Sequence, residues 1–211
     1  MLGANDGIVS TASLLVGVAA SGVSNEYILI AGIASVVAGA MSMAAGEYVS
    51  VSSQADAERA DLEIERRELQ EDPDYETEEL AASYVRRGLD PELARQVAVQ
   101  LMHVDPLAAH ARDELGIVRR RRPRPVQAAL TSLVAFATGA VLPLAVAVFA
   151  PQSHVAAAVA GATLFSLATL GAVSSRLGGA PVWRGSLRIT FWGALAMILT
   201  GAIGSLLGLV I

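Results

Sequence analysis

Five apolar stretches, each long enough to cross a bilayer, constrain this chain more than any other feature of its sequence. A hydrocarbon core about 30 Å thick requires about 20 residues of apolar helix, and residues 2–23, 27–53, 126–150, 155–175 and 189–211 each meet that need. Between the second and third stretches lies a segment of opposite character. Of the 20 acidic residues, only Asp6, Glu26 and Glu47 fall outside residues 54–116. A lipid phase and an aqueous phase are thus written into one chain. The expected fold class is an all-α, polytopic membrane protein with five transmembrane helices and a cytoplasmic helical insert between the second and third. Its domains are residues 1–53, 54–118 and 119–211. The first stretch lacks the basic n-region and cleavage site of a signal peptide, and reads as a retained span.

The connections set the orientation. Residues 21–26 and 151–154 join spans on one side without a single Arg, whereas Arg119, Arg120, Arg121, Arg122, Arg124, Arg176, Arg184 and Arg188 all lie on the other. By the positive-inside rule the N-terminus and the insert are cytoplasmic and the C-terminus is outside. The Arg run at 119–124 is also suited to anionic lipid.

Local signals divide the insert into short helices. Asp72-Pro73, Asp90-Pro91 and Asp105-Pro106 each pair an N-capping carboxylate with a proline suited to the first helical position, and Gly88 and Gly116 stand where helices end. No proline occurs between Tyr27 and Asp72, so the second span can run unbroken into the first helix of the insert. At 1.5 Å per residue that places Glu65 about 27 Å beyond Glu47. Acids in the insert and acids in the membrane are therefore separate candidate sites.

Glu58, Asp61, Glu65, Glu68 and Asp72 recur at intervals of three and four, which stacks their carboxylates along one helix face. Like charges at that spacing repel by about 0.2–0.5 kcal/mol per pair. Glu63 has Arg59, Arg66 and Arg67 at helical offsets, while Glu58, Asp61, Glu65 and Glu68 have none. Such a stripe is either a solvated acidic face or a cation site, and spacing alone leaves both open. Glu76 and Glu79 open the next helix, where the dipole favours acids in any case. His110 and Glu114, four apart, can share a face further on. With no Cys in the chain, thiolate metal sites and disulfides are excluded, and the lack of any Glu-x-x-His argues against a di-iron carboxylate enzyme.

Ionisable groups inside a span are costly and are functional candidates by default. Glu47 lies one turn beyond Met43, so a carboxylate and a thioether share a face of the second span, a donor pair suited to a borderline transition metal. The alternatives are packing for Met43, an interfacial position for Glu47, and an N-cap for Asp6. Gly39, Gly46, Gly204 and Gly208 permit close helix contact, and Pro143 would bend or loosen the third span.

The run Asn5-Asp6-Gly7-Ile8-Val9-Ser10, the run from Ala38 to Ser50 (AGAMSMAAGEYVS) and the acidic insert that follows together resemble the vacuolar iron transporter family. The resemblance implies a homodimer of five-span subunits in the lipid bilayer. It also implies export of Fe²⁺ or Mn²⁺ from the cytosol as the transported substrate, in exchange for protons. Carried over, Asp6, Met43 and Glu47 match the transmembrane metal path. Glu65, Glu68, Glu76 and Glu79 match the two ExxE pairs of the family's cytoplasmic metal-binding module, and His110 and Glu114 fall where its closing Met and Glu stand. His110 departs from that pattern, which bears on ion preference. The chain also starts five residues before Asp6, without the polar lead-in the family has, a second departure that bears on the surroundings of Asp6.

The expected function is a proton-coupled Fe²⁺ and/or Mn²⁺ exporter with no catalytic residues, no organic cofactor and no nucleic-acid partner. The expected location is the plasma membrane if bacterial, or a vacuolar-type membrane if eukaryotic. The alternative is a membrane-anchored metal sensor or storage protein, and buried Asp6 and Glu47 weigh against it because an anchor has no need of them.

Overall fold

The computed structural model of the chain describes residues 2–117 and 123–210. The arginines at 119–122, on which part of the orientation argument rests, lie outside the described residues. Among the described residues the regular structure is entirely helical: α1 (Leu2–Ala20), α2 (Asn25–Glu71), α3 (Pro73–Arg86), α4 (Pro91–Val104), α5 (Pro106–Asp113), α6 (Pro125–Phe149), α7 (Val155–Leu177) and α8 (Val182–Gly208), with one 3-10 turn at Gln152–His154. They form two compact units. One comprises Met1–Tyr48 with Val126–Ile211, and the other Val49–Pro125.

Four of the described helices, α2, α6, α7 together with its leading 3-10 turn, and α8, are long and apolar enough to cross a membrane. The 19 residues of α1 carry Asn5 and Asp6 near their start and do not reach that standard, although α1 packs against α7 and α8. Several helix boundaries differ from expectation. The first helix ends at Ala20, the second begins at Asn25, and α8 begins at Val182, so Arg184 and Arg188 are helical residues. Long Arg stems lie along an apolar helix while the guanidinium reaches for water, and Arg184 rests over the ring of Trp183 at 5.3 Å.

In the first unit α1, α2, α6, α7 and α8 share a core of Ala12, Leu15, Val16, Ile28, Ala147, Val155, Val159 and Met197. Lipid is as apolar as these side chains, so the association of such helices depends on close packing rather than on removal from water. Glycine makes that approach possible. A Cβ on Gly7 would overlap the Phe136 backbone, one on Gly139 the backbone of Ala4, and one on Gly204 that of Gly17. Gly46 has open space around it instead. Pro143 is fully buried within an unbroken α6.

The second unit is a small water-driven core of Leu80, Ala81, Tyr84, Ala94, Ala98 and Ala109. In α4, residues 94, 97, 98 and 101 recur at helical spacing and meet this core. Leu80 is wholly buried, which stabilises by about 1.5–3 kcal/mol relative to exposure. The helix ends follow the local chemistry. Asp72 accepts from the Tyr75 N–H, Asp90 from Glu92 and Leu93, and Asp105 from Ala108. Gly88 and Gly116 take φ of 99° and 67°, values that glycine adopts without a Cβ penalty.

Candidate metal centre

Three helices of the second unit converge on one imidazole. The C-terminal half of α2 supplies Glu65, the first turn of α3 supplies Glu76, and α5 supplies His110, with Glu114 at its C-cap. Nδ1 of His110 lies 2.8 Å from Oε1 of Glu65, 3.2 Å from Oε2 of Glu114 and 3.6 Å from Oε2 of Glu76. The His110 side chain is 0% exposed, and those of Glu65 and Glu76 are 7% each. Short as these distances are, neither ring nitrogen has a hydrogen-bond partner, nor have Oε1 of Glu65 and Oε1 of Glu114. Buried polar atoms are nearly always paired. Donor atoms that gather without pairing are arranged as ligands to a common centre would be.

The electrostatics agree. Burial raises the pKa of Glu65 above its usual 4.5, and the charges of Glu114, Glu68 and Glu79 raise it further, while His110 pulls it down. Glu76 is raised in the same way, by burial first and then by Glu65, Glu79 and Glu68, again against His110. Glu68 and Glu79 are exposed, yet each acts on both buried acids. The six residues expected from the sequence thus form one negatively charged neighbourhood, with Glu65, Glu76 and His110 at its dry centre. One donor from each of these three lies within 4.8 Å of the others. Bonds of about 2.0–2.2 Å from a transition metal to nitrogen and oxygen put neighbouring donors about 3 Å apart, close to the three separations from His110 Nδ1. Three carboxylates with one imidazole suit a divalent first-row ion.

The pairing expected for Glu63 is not what forms. Arg59 bonds to Asp56, and Arg67 donates to the Glu63 backbone carbonyl. A second buried network was not legible beforehand. Asp113 accepts from the Tyr84 hydroxyl at 2.6 Å and from Arg112 at 2.7 Å. Burial alone would raise its pKa, but the bonds from Arg112 and Tyr84, with Arg87, hold it below the usual 3.8. The only hint in the sequence is that Tyr84 lies two helical turns beyond Glu76.

In the first unit Asp6 sits inside α1 and is half-buried, with Ser10 Oγ donating to its Oδ1 at 2.8 Å. It does not cap the helix. Met43 packs beside the buried trio Ala40, Phe136 and Ala140, and Glu47 is exposed. Phe136, also missed in the sequence, links the two motif-bearing helices: its backbone meets Gly7 of α1 and its ring meets Gly39 of α2. Among the described residues, Asp6 and Glu47 do not join a cluster of potential metal ligands within one chain.

A family model for the VIT family matches residues 1–205. The chain belongs to the VIT family. It is similar to a vacuolar iron transporter of Acanthamoeba castellanii, with 48% identity over 207 residues covering 98% of this chain and 76% of that one. It is also similar to two proteins of Oryza sativa subsp. japonica. Vacuolar iron transporter homolog 1 is 36% identical over 99% of this chain and 72% of its own length, and homolog 2 is 37% identical over 96% and 86%. The VIT family is a family of transporters and not of enzymes, and the four long apolar helices accord with a membrane protein. In this VIT protein the unpaired buried donors belong to a unit outside the apolar bundle.

Proposed function

We propose that the protein is a proton-coupled exporter of Fe²⁺, with Mn²⁺ as a second substrate, working as a homodimer of five-span subunits with α1 as the fifth span. In this reading the Val49–Pro125 unit is cytoplasmic and captures the ion from the cytosol. The observation that carries the proposal is the convergence of Glu65, Glu76 and Glu114 on His110 Nδ1 without hydrogen bonds. The naming of similar proteins as iron transporters supports iron as the cargo. Glu68 and Glu79 attract the ion to the mouth of the site, and the buried residues bind it.

Within the membrane, Asp6, Met43 and Glu47 carry the ion. A carboxylate there requires either a cation or a proton, so the two exchange. A two-fold axis beside α1 and α2 doubles each ligand and completes a site that one chain leaves open. Proteoliposomes holding a pH dye provide the test. An inward-directed proton gradient should drive Fe²⁺ or Mn²⁺ out of the cytosolic side, and Asp6→Asn should abolish that flux while metal binding at His110 persists. Met43→Leu should lower Fe²⁺ flux more than Mn²⁺ flux, because the harder ion depends less on a thioether. Normal flux from Asp6→Asn and Glu47→Gln together would sink the mechanism.

A further inference from the structure

Asp113 stands three residues after His110 and one before Glu114, yet its carboxylate takes no part in the acid cluster. It is 8% exposed and holds two guanidinium groups that are themselves largely exposed, Arg112 at 2.7 Å and Arg87 at 3.2 Å. Tyr84 ties the three together. Its hydroxyl donates to Asp113 and accepts from Arg112 at 3.4 Å, and Arg87 lies 5.1 Å over its ring. Elsewhere among the described residues of this unit, Arg59 pairs with Asp56 and Arg95 with Glu78. The buried acids around His110 meet an imidazole, and these four guanidiniums are paired elsewhere.

That division has a chemical consequence. A guanidinium is permanently charged and presents a fork that matches carboxylates, which makes it the strongest competitor within the chain for a divalent cation at a carboxylate cluster. Arg112 is two residues from His110 and two from Glu114. Without Asp113 as its anion, that guanidinium is released to seek another carboxylate of the unit, and the cluster is the one that has to stay open for a cation.

We propose that Asp113 is a positioning residue that keeps Arg112 and Arg87 off the cluster, so that the carboxylates of Glu65, Glu76 and Glu114 stay open to a divalent cation. The proposal rests on reading that cluster as the cation site. It assigns to Asp113 a role in affinity that its contribution to folding does not contain.

The experiment uses the full-length chain in detergent with Co²⁺ as the probe, following the absorption band that His110→Gln removes. Asp113→Asn keeps shape and loses the anion, and should weaken that binding about tenfold to a hundredfold, the range typical of groups behind a metal's own ligands. Adding Arg112→Gln and Arg87→Gln to it should restore affinity to within about threefold of wild type, as should Asp113→Glu alone, which keeps the charge. Tyr84→Phe leaves both ion pairs in place and should lower thermal stability with affinity kept. Wild-type affinity in Asp113→Asn, or no recovery in the triple variant, overturns the proposal. Should Asp113→Asn not fold, affinity lost in step with stability in Asp113→Glu and Tyr84→Phe overturns it as well. A wild-type chain with no Co²⁺ band dependent on His110 overturns the reading of the cluster, a failure distinct from those of the variants.

Discussion

Glu65 and Glu76 show how a single residue carries opposite demands. Packed among other acids, each is held above the usual 4.5, by burial first and then by neighbouring charge. Between that value and its folded pKa the folded state holds more protons than the unfolded one, so stability falls as pH rises through the window. In chelator, hydrogen-exchange protection at α3 and α5, corrected for the intrinsic pH dependence of exchange, should therefore be greater at the acid end of the window than at neutral pH. Glu65→Gln should flatten that dependence. Protection that rises steadily with pH in chelator would show that these carboxylates do not bear the strain assigned to them. On the proposed reading of the cluster, a divalent ion should reverse the order, because protons and metal would compete for the same oxygens. Asp113 titrates in the opposite direction and lower down: its folded pKa lies below 3.8, so its contribution is present above that value and lost as pH falls through the folded pKa.

At the scale of the element, the two units are held by different forces. Helices of the second unit are placed by caps and by burial from water. Those of the first unit are placed by how closely backbones can approach. Gly7→Val and Gly139→Val should therefore prevent a stable bundle, since a Cβ at either site meets backbone that cannot yield. Gly46→Val, in open space, should leave the fold of the subunit intact. Size-exclusion profiles and thermal melts of the three purified variants make the comparison. Equal damage from all three would mean that these contacts are not what fixes α1 against α6. Capping is a smaller effect. Asp90→Ala removes the acceptor for two N–H groups of α4 and should cost about 0.5–2 kcal/mol, measured as faster hydrogen exchange in α4.

For the whole molecule, the proposed orientation rests on the side on which Arg accumulates. The described residues Arg124, Arg176, Arg184 and Arg188 lie at the starts of α6 and α8 and the end of α7, whereas Ser21 and Ser153 lie in the connections at the opposite ends of these helices. In this Cys-free chain, single cysteines at Ser21 and Ser153 should label from outside intact cells, and one at Ser53 should be protected. Labelling of Ser53→Cys under the same conditions would invert the proposed topology and with it the proposed direction of export. Interrupted by Asn5 and Asp6, α1 gains its place from Ala12, Leu15 and Val16 packed against α7 and α8.

What the sequence determined by itself is whatever depends on neighbours within about one helical turn. That covers the alternation of apolar and acidic segments, the three Asp-Pro starts, the glycine ends, and the continuity of α2 from Asn25 to Glu71. The six acidic and imidazole candidates of the second unit were legible too, from spacing and from the family resemblance. Only the tertiary structure decided which of them are dry. Glu65 and Glu76 are buried while Glu68 and Glu79, each three residues further along the same helix, stay exposed. It alone showed that His110 Nδ1 is where they meet, that Asp113 turns to Tyr84 across 29 residues of sequence, and that Phe136 joins α1 to α2. The reason is physical. Caps and periodicity act through bonds that close within a few residues, whereas burial depends on which face another helix covers, and that helix is brought in from far along the chain.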